Sequence, residues 1–349
     1  MQFDKSQKNS FWQSAKRKII FGLAVLILML VLVASHFRDH GNDSRTIRFA
    51  AFNTVCGVTL YGKVTPEQED VLRDLLAQMQ KLHDTLNVHA EESELSRLNA
   101  TAAHSPFHCS DLLWDALRHT RDGAELTRLP EGGFAYDPTV GPLMRLWGFH
   151  GKRATVPSQA ELAEALSRTG FSRVEWDDDA HTVHFPVAGM ALDLGGMAKG
   201  YACDLAARLL EQHGQRCYLL DFGGNIRLSG TPPPGRRSFT VGIRSPGEMG
   251  GVLREMDLTG VTVSTSGNYE RHRMLDGRKV GHIMHPMTGE PCAYLASVTA
   301  ITTDSTLADI FSTAVFVGGP ALAQEISRRV PRTRFVIIPE VGEAPIDIP

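Results

Sequence analysis

Leu192-Asp193-Leu194-Gly195-Gly196-Met197-Ala198-Lys199-Gly200 reads as a strand, a diglycine turn and the start of a helix. The strand is predicted over 191–194. The helix is predicted over 198–213, with Gly214 just past its end. Paired glycines let backbone come close to a ligand, and the free N–H groups of a helix start favour a phosphate. Lys199 falls in the first turn, where the helix dipole disfavours a cation, so an anionic partner is one reading. A solvated lysine beside an ordinary strand–helix turn is the other. The stretch matches neither G-x-x-x-x-G-K-[ST] nor G-x-G-x-x-G, so neither a P-loop nor a Rossmann fingerprint is present. Elsewhere, strands are not regularly followed by crossover helices, which argues against a doubly wound parallel sheet. The expected class is α+β, with a largely antiparallel sheet and packed helices.

The segments on either side fit that class. Thr65-Pro66-Glu67-Gln68 is a helix start with an N-cap, a first-turn proline and Gln at N3, and predicts an amphipathic helix over 66–86. Further helices are predicted as a short turn at 93–99 and over 111–126, 158–168, 304–317 and 320–330. A strand or the start of a hairpin is predicted over 49–61, and strands over 216–222, 239–244, 260–266, 296–302 and 334–338, with a hairpin over 174–185. No repeat of 20–50 residues is present.

The 349 residues carry 36 Lys+Arg and 39 Asp+Glu, a net charge of -3, so nothing in bulk draws the chain to nucleic acid. Hydrophobic residues at 42% and charged at 21% are the values of a globular protein. The 5 Cys are scattered and form no C-x-x-C. The charge is uneven: residues 1–45 hold seven basic and three acidic side chains. Within them, residues 19–34 carry no charge. They span about 24 Å as a helix, against a hydrocarbon core of about 30 Å, and Ser35 to Phe37 make up most of the difference. Lys16-Arg17-Lys18 precede this run, so 1–18 is expected in the cytoplasm and 19–37 as a membrane anchor. A cleavable signal peptide ending at Ala34-Ser35 is the competing reading. A polar tether follows over 38–46, and the domain proper over 47–349. In either case that domain is exported, to the periplasmic side of the inner membrane.

Several other stretches are built for chemistry. Asp221-Phe222-Gly223-Gly224-Asn225 repeats the strand-to-diglycine theme, as a site loop or a plain hairpin turn. Phe134-Ala135-Tyr136-Asp137-Pro138-Thr139-Val140-Gly141-Pro142 sets an aromatic beside a carboxylate. His282 and His285 are three apart, but Pro286 rules out a shared helical face, so a single site histidine is favoured over a metal pair. Asp309 and Thr313 are four apart on a predicted helix and offer hard oxygen atoms of the kind that bind Mg²⁺ or Ca²⁺; a solvated Asp309 is the alternative.

Taken in order, these segments resemble the ApbE family of FAD:protein FMN transferases. The resemblance rests on Phe52-Asn53-Thr54, Ser93 to Asn99, Asp137 to Leu143 with Trp147-Gly148-Phe149, Leu192 to Tyr201, Asp221 to Asn225, Thr265-Ser266-Gly267, His282 to Pro286 with Thr288-Gly289, and Ala308-Asp309 to Gly318. It implies a T-fold-like α+β architecture and transfer of FMN from FAD to a Ser or Thr hydroxyl of an acceptor flavoprotein, with AMP released. Asp309, Thr313 and the main-chain carbonyl of Gly196 would hold Mg²⁺. Phe52, His89, Ala135, Tyr136, Asp137, Asp193, Lys199 and Met284 would line the FAD, and His282 would be the general base. The acceptors would be membrane redox subunits. Water in place of the acceptor hydroxyl would make the same site an FAD pyrophosphatase, and a flavin-binding protein without turnover would need no base.

Overall fold

The computed structural model describes residues 44–246, 251–268, 271–340 and 344–349. The expected cytoplasmic segment and membrane anchor, and the tether up to residue 43, lie outside the described residues. The chain opens on a hairpin of β1 (Ser44–Ala51) and β2 (Thr54–Tyr61). Its two-residue loop is Phe52-Asn53, with φ of 51° and 57°. A tight hairpin needs that left-handed pair, and Asn adopts it readily; a bulky Phe does so at a cost.

Helices α1 (Pro66–Leu86), α2 (Glu94–Thr101) and α3 (Asp111–Glu125) follow, with the short strand β3 (Phe107–His108) before α3. The capping box read at Thr65 and Gln68 is formed, and Ser93 and Ser110 cap the next two helices. Then come α4 (Gly141–Leu146), α5 (Gln159–Ser167), the hairpin of β4 (Glu175–Asp177) and β5 (Thr182–His184), and α6 (Ala198–Gln212).

The second half is mostly sheet. β6 (Tyr218–Phe222) and β7 (Asn225–Leu228) are joined by Gly223-Gly224, with φ of 61° and 87°, so that diglycine is a hairpin turn. Next are β8 (Phe239–Arg244), β9 (Val252–Leu258), β10 (Thr262–Gly267), β11 (His272–Leu275), β12 (Arg278–Gly281) and β13 (Leu295–Thr302). α7 (Ser305–Arg329), β14 (Arg334–Pro339) and β15 (Ile346–Ile348) complete the chain.

The main sheet has eight strands in the order β1-β2-β6-β7-β10-β13-β14-β15, every neighbouring pair antiparallel. All eight residues of β13 are buried, because both faces of the sheet are covered. On one face lie α6 and α7, with Phe311 and Phe316 of α7 fully buried. On the other, the β8–β9 hairpin sets Phe239, Val241 and Leu258 against Leu228, Val263 and Ile301. The result is the mixed, antiparallel α+β arrangement expected from the sequence.

One local expectation is corrected. The segment 191–194 is not a strand. Asn99 clamps it instead, donating from Nδ2 to the Leu192 carbonyl (2.9 Å) and accepting at Oδ1 from the Leu192 N–H (2.7 Å). The same backbone needs that a sheet ladder would meet are met by one side-chain amide. The two helices expected over 304–317 and 320–330 are both present, as the two arms of α7, which breaks at Gly319 (φ 69°, ψ -166°) just before Pro320. α7 is the one helix among the described residues long and apolar enough to cross a membrane, and its burial among α6 and the sheet makes it a core helix.

Candidate functional site

A cavity of about 1060 Å³ opens where the start of α6, the middle of α7, the 134–142 loop and the ends of β10 and β12 converge. All twelve residues nominated from the sequence line it. His285 does not; its Nδ1 accepts the Met287 N–H (3.2 Å) outside the cavity, so the two histidines of that motif do not share a site.

One corner is an oxygen cluster. Asp309 is buried and accepts from the Gly200 N–H (3.1 Å) and from Ser264 Oγ (3.5 Å). Lys199 Nζ stands 3.4 Å from both of its carboxylate oxygens. The cation in the first turn of α6 therefore has its anionic partner within the protein, one helix away. Thr313, a turn further along α7, places Oγ1 3.2 Å from Ser266 Oγ. Gly196 closes the corner: a Cβ there would lie 2.9 Å from the Tyr136 ring and 3.1 Å from Thr313 Oγ1, so only glycine lets this backbone approach both. Tyr136 is buried, and burial followed by the neighbouring carboxylates pushes its phenol well above the usual range, so it keeps its proton.

Asp193 forms a second corner that the sequence shows only in part. Its Oδ1 accepts the Gly195 N–H (2.7 Å), shaping the diglycine turn, and His150 Nε2 lies 2.8 Å from Oδ2. Burial pushes the Asp193 carboxyl up, and the His150 and Gly195 hydrogen bonds outweigh it, leaving the group below the usual carboxylate range. His89 meets the His150 ring edge-on, with centroids 5.1 Å apart. Burial first, then His150, lowers the His89 pKa. His150 was not nominated. It directly follows Trp147-Gly148-Phe149, and only the folded turn at that point aims it at a residue 43 positions away.

Asp137 lines the cavity, but its carboxylate is engaged inside the protein. Oδ1 accepts from Thr139 N–H (2.7 Å) and Thr139 Oγ1 (2.5 Å), and Oδ2 from the Phe171 N–H (3.0 Å). It holds the loop in shape. Ala135 is fixed by its N–H to the Thr127 carbonyl (2.9 Å). Phe52, in its left-handed turn, donates its N–H to His83 Nδ1 (3.1 Å) and packs edge-on against that ring. Met284 is buried on the strand-like stretch that bridges to Pro291.

His282 follows directly on β12, half-buried at the cavity wall. Its Nδ1 is 3.2 Å from the Arg271 carbonyl. A carbonyl can only accept, so Nδ1 carries the proton and Nε2 the lone pair. Burial, then the Arg271 charge, pushes its pKa down from 6.5 to about 4, where the sequence suggested an ordinary value. The imidazole is therefore neutral at physiological pH, with one nitrogen ready to accept a proton.

The fold is antiparallel α+β, and its cavity joins the start of α6, a lysine–aspartate pair and a neutral histidine. The chain belongs to the ApbE family, whose model matches residues 52–337. It is similar to the FAD:protein FMN transferase of Salmonella typhimurium, 33% identical over 262 residues, covering 73% of each chain. The FAD:protein FMN transferase of Treponema pallidum is 32% identical over 295 residues, covering 80% of each. Among solved structures, the ApbE protein of Thermotoga maritima superimposes with a TM-score of 0.78 at 29% identity, covering 87% of this chain and 97% of that one.

Proposed function

We propose that this protein transfers FMN from FAD to a Ser or Thr hydroxyl of an acceptor flavoprotein and releases AMP. The observation that carries the reading is the meeting, in one cavity, of the Gly196–Asp309–Thr313 oxygen cluster with the free Nε2 of His282. The names of the Salmonella and Treponema relatives support it.

The oxygen cluster fits a Mg²⁺ ion: one carboxylate, one hydroxyl and one carbonyl are hard donors, and the Gly196 cradle leaves room that a Cβ would fill. Among the described residues no group of three or more His, Cys, Asp and Glu side chains is available, so a softer metal has no ligand set here. Bound there, Mg²⁺ would neutralise charge on the pyrophosphate oxygens. The protein's own residues then divide the rest. Lys199, in the first turn of α6, supplies positive charge at the phosphates. The Asp193 turn and the 134–142 loop shape the wall against which the dinucleotide lies. His282 Nε2 takes the proton of the acceptor hydroxyl as its oxygen bonds to the FMN phosphorus. The bond from that phosphorus to the bridging oxygen breaks, and AMP leaves with that oxygen. A general base of this kind contributes about 10²–10⁴-fold.

The basic cluster before residues 19–37 supports an inner-membrane anchor with the domain on the periplasmic side, where membrane redox subunits would present acceptor hydroxyls. A reporter fused after Pro349 that works only in the cytoplasm would overturn this placement. For the chemistry, the purified protein is incubated with FAD, Mg²⁺ and an acceptor flavoprotein. The acceptor should gain the mass of FMN, with AMP formed in equal amount. AMP without a mass gain would make the protein a pyrophosphatase, and neither product would make it a binding protein.

A further inference from the structure

Asn268, the residue after β10, reaches the main chain on both sides of His282. On the near side its carboxamide fills the space beside Gly281, the last residue of β12. A Cβ on Gly281 would overlap Asn268 Oδ1 and lie 2.5 Å from its Cγ, closer than real Cβ contacts come. Gly281 is not one of the left-handed glycines, so it is the space taken by Asn268, and not the backbone conformation, that demands glycine there. On the far side Asn268 Nδ2 donates to the Cys292 carbonyl (2.8 Å), and the Cys292 N–H donates to the Ile283 carbonyl (2.9 Å). Asn268 Oδ1 is buried with no hydrogen-bond partner among the described residues, so the carboxamide is held by Nδ2 and by its fit against Gly281. Between these two holds sits His282, whose Nδ1 is 3.2 Å from the Arg271 carbonyl. A shift of about 0.5 Å would carry that pair beyond hydrogen-bonding length.

We propose that Asn268 is a positioning residue for FMN transfer: it seats the Gly281–Ile283 main chain so that His282 keeps Nδ1 on the Arg271 carbonyl and presents Nε2 to the cavity. The inference rests on the reading of His282 as the base and adds what aims it. Asn268 does not itself line the cavity, whereas His282 and Ile283 do, so it acts through the histidine and not on a ligand. Aim matters because a reacting group misplaced by about 1 Å can cost about 10²-fold in rate.

The test compares the wild type with Asn268→Ala, Gly281→Ala and the two combined. Gly281→Ala drives a Cβ into the carboxamide and should slow transfer by about 10²-fold, and Asn268→Ala, which loses the link to Cys292, by about 10-fold. The double variant has no overlap, so it should transfer faster than Gly281→Ala. FAD affinity should be unchanged throughout. A second readout needs no transfer: NMR of protein labelled in its histidine ring nitrogens reads the tautomer, with His282→Ala assigning the signal. The wild type should show the proton on Nδ1 of His282, and each single variant a mixture with the Nε2 form. The wild-type rate or the wild-type tautomer in both single variants would overturn the inference. So would a double variant no faster than Gly281→Ala, and so would FAD affinity that falls in step with the rate, which would make the role one of ligand binding or of the fold at large. If Gly281→Ala does not fold, Asn268→Ala decides by the same two readouts. A wild type that transfers no FMN would overturn the reading of His282 as the base, while the tautomer would still decide whether Asn268 seats it.

Discussion

His150 Nε2 and Asp193 Oδ2 lie 2.8 Å apart, with both side chains nearly buried, at 12% and 11% exposure. The pair fixes the carboxylate that shapes the Gly195-Gly196 turn. It thereby connects the end of the 134–150 region to the start of α6, and so to the oxygen cluster.

Breaking this pair should be costly. Replacing His150 by Ala leaves the nearly buried Asp193 carboxylate with a single N–H partner, and an unmet buried polar group costs about 1–3 kcal/mol. The double variant His150→Ala, Asp193→Asn should recover part of that loss, because no charge is stranded. Denaturant unfolding checks both. The pH dependence has a definite sign. Asp193 titrates below its unfolded value, so its contribution is present above about pH 4 and is lost as pH falls through the folded pKa. In His150→Ala that loss should begin at higher pH.

His282 should behave as a base with a low pKa. His282→Ala is expected to slow FMN transfer by about 10²-fold or more with FAD affinity little changed. His285→Ala, outside the cavity, should transfer normally. The wild-type rate should stay level from pH 7 to pH 5 and fall only as pH drops through about 4, where Nε2 becomes protonated. Because the folded pKa lies below the unfolded 6.5, the same group makes the fold less stable as pH falls from 6.5 to about 4. A rate that halves near pH 6.5 would contradict the buried, Arg271-facing environment.

Asp309→Ala should abolish Mg²⁺-dependent AMP release. Its second readout is calorimetric: Mg²⁺ binding seen with the wild type should be lost or weakened at least 10-fold, since the cluster's only carboxylate is gone. Lys199 would lose its internal partner, so FAD affinity measured without metal should not fall.

Asp137→Ala should act on folding. Three donors, from Thr139 N–H, Thr139 Oγ1 and Phe171 N–H, would lose their acceptor in a buried loop. An unmet buried donor costs about 1–3 kcal/mol, so thermal unfolding should show a loss of at least that size. Direct participation of Asp137 in FAD binding would instead show as weakened affinity at unchanged stability.

Much of this was legible in the order of residues. Helix starts announce themselves locally, because Thr65, Ser93, Ser110, Ser158 and Asp304 meet the orphan N–H groups of the turn that follows each of them. The diglycine at Gly223-Gly224 is equally local: a two-residue hairpin needs two left-handed residues in succession. The order of motifs along 49–340 pointed to twelve residues, and all twelve line one cavity. Other features depended on partners far away in the chain. The 191–194 segment looks like a strand by its residues, but a strand needs a neighbour, and Asn99 took that place. Lys199 reads as a cation awaiting a ligand until α7 sets Asp309 against it, 110 residues on. His150 has no motif of its own and acquires a role only from Asp193. The pKa of His282 followed burial and the Arg271 charge, neither of which spacing encodes. Sequence by itself determined what is satisfied within a few residues: caps, turns and the alternation that builds helices and strands. Only the tertiary structure decided which buried polar groups find each other, because the cost of burying a charge or an N–H is met by whichever partner the packing brings within about 3 Å.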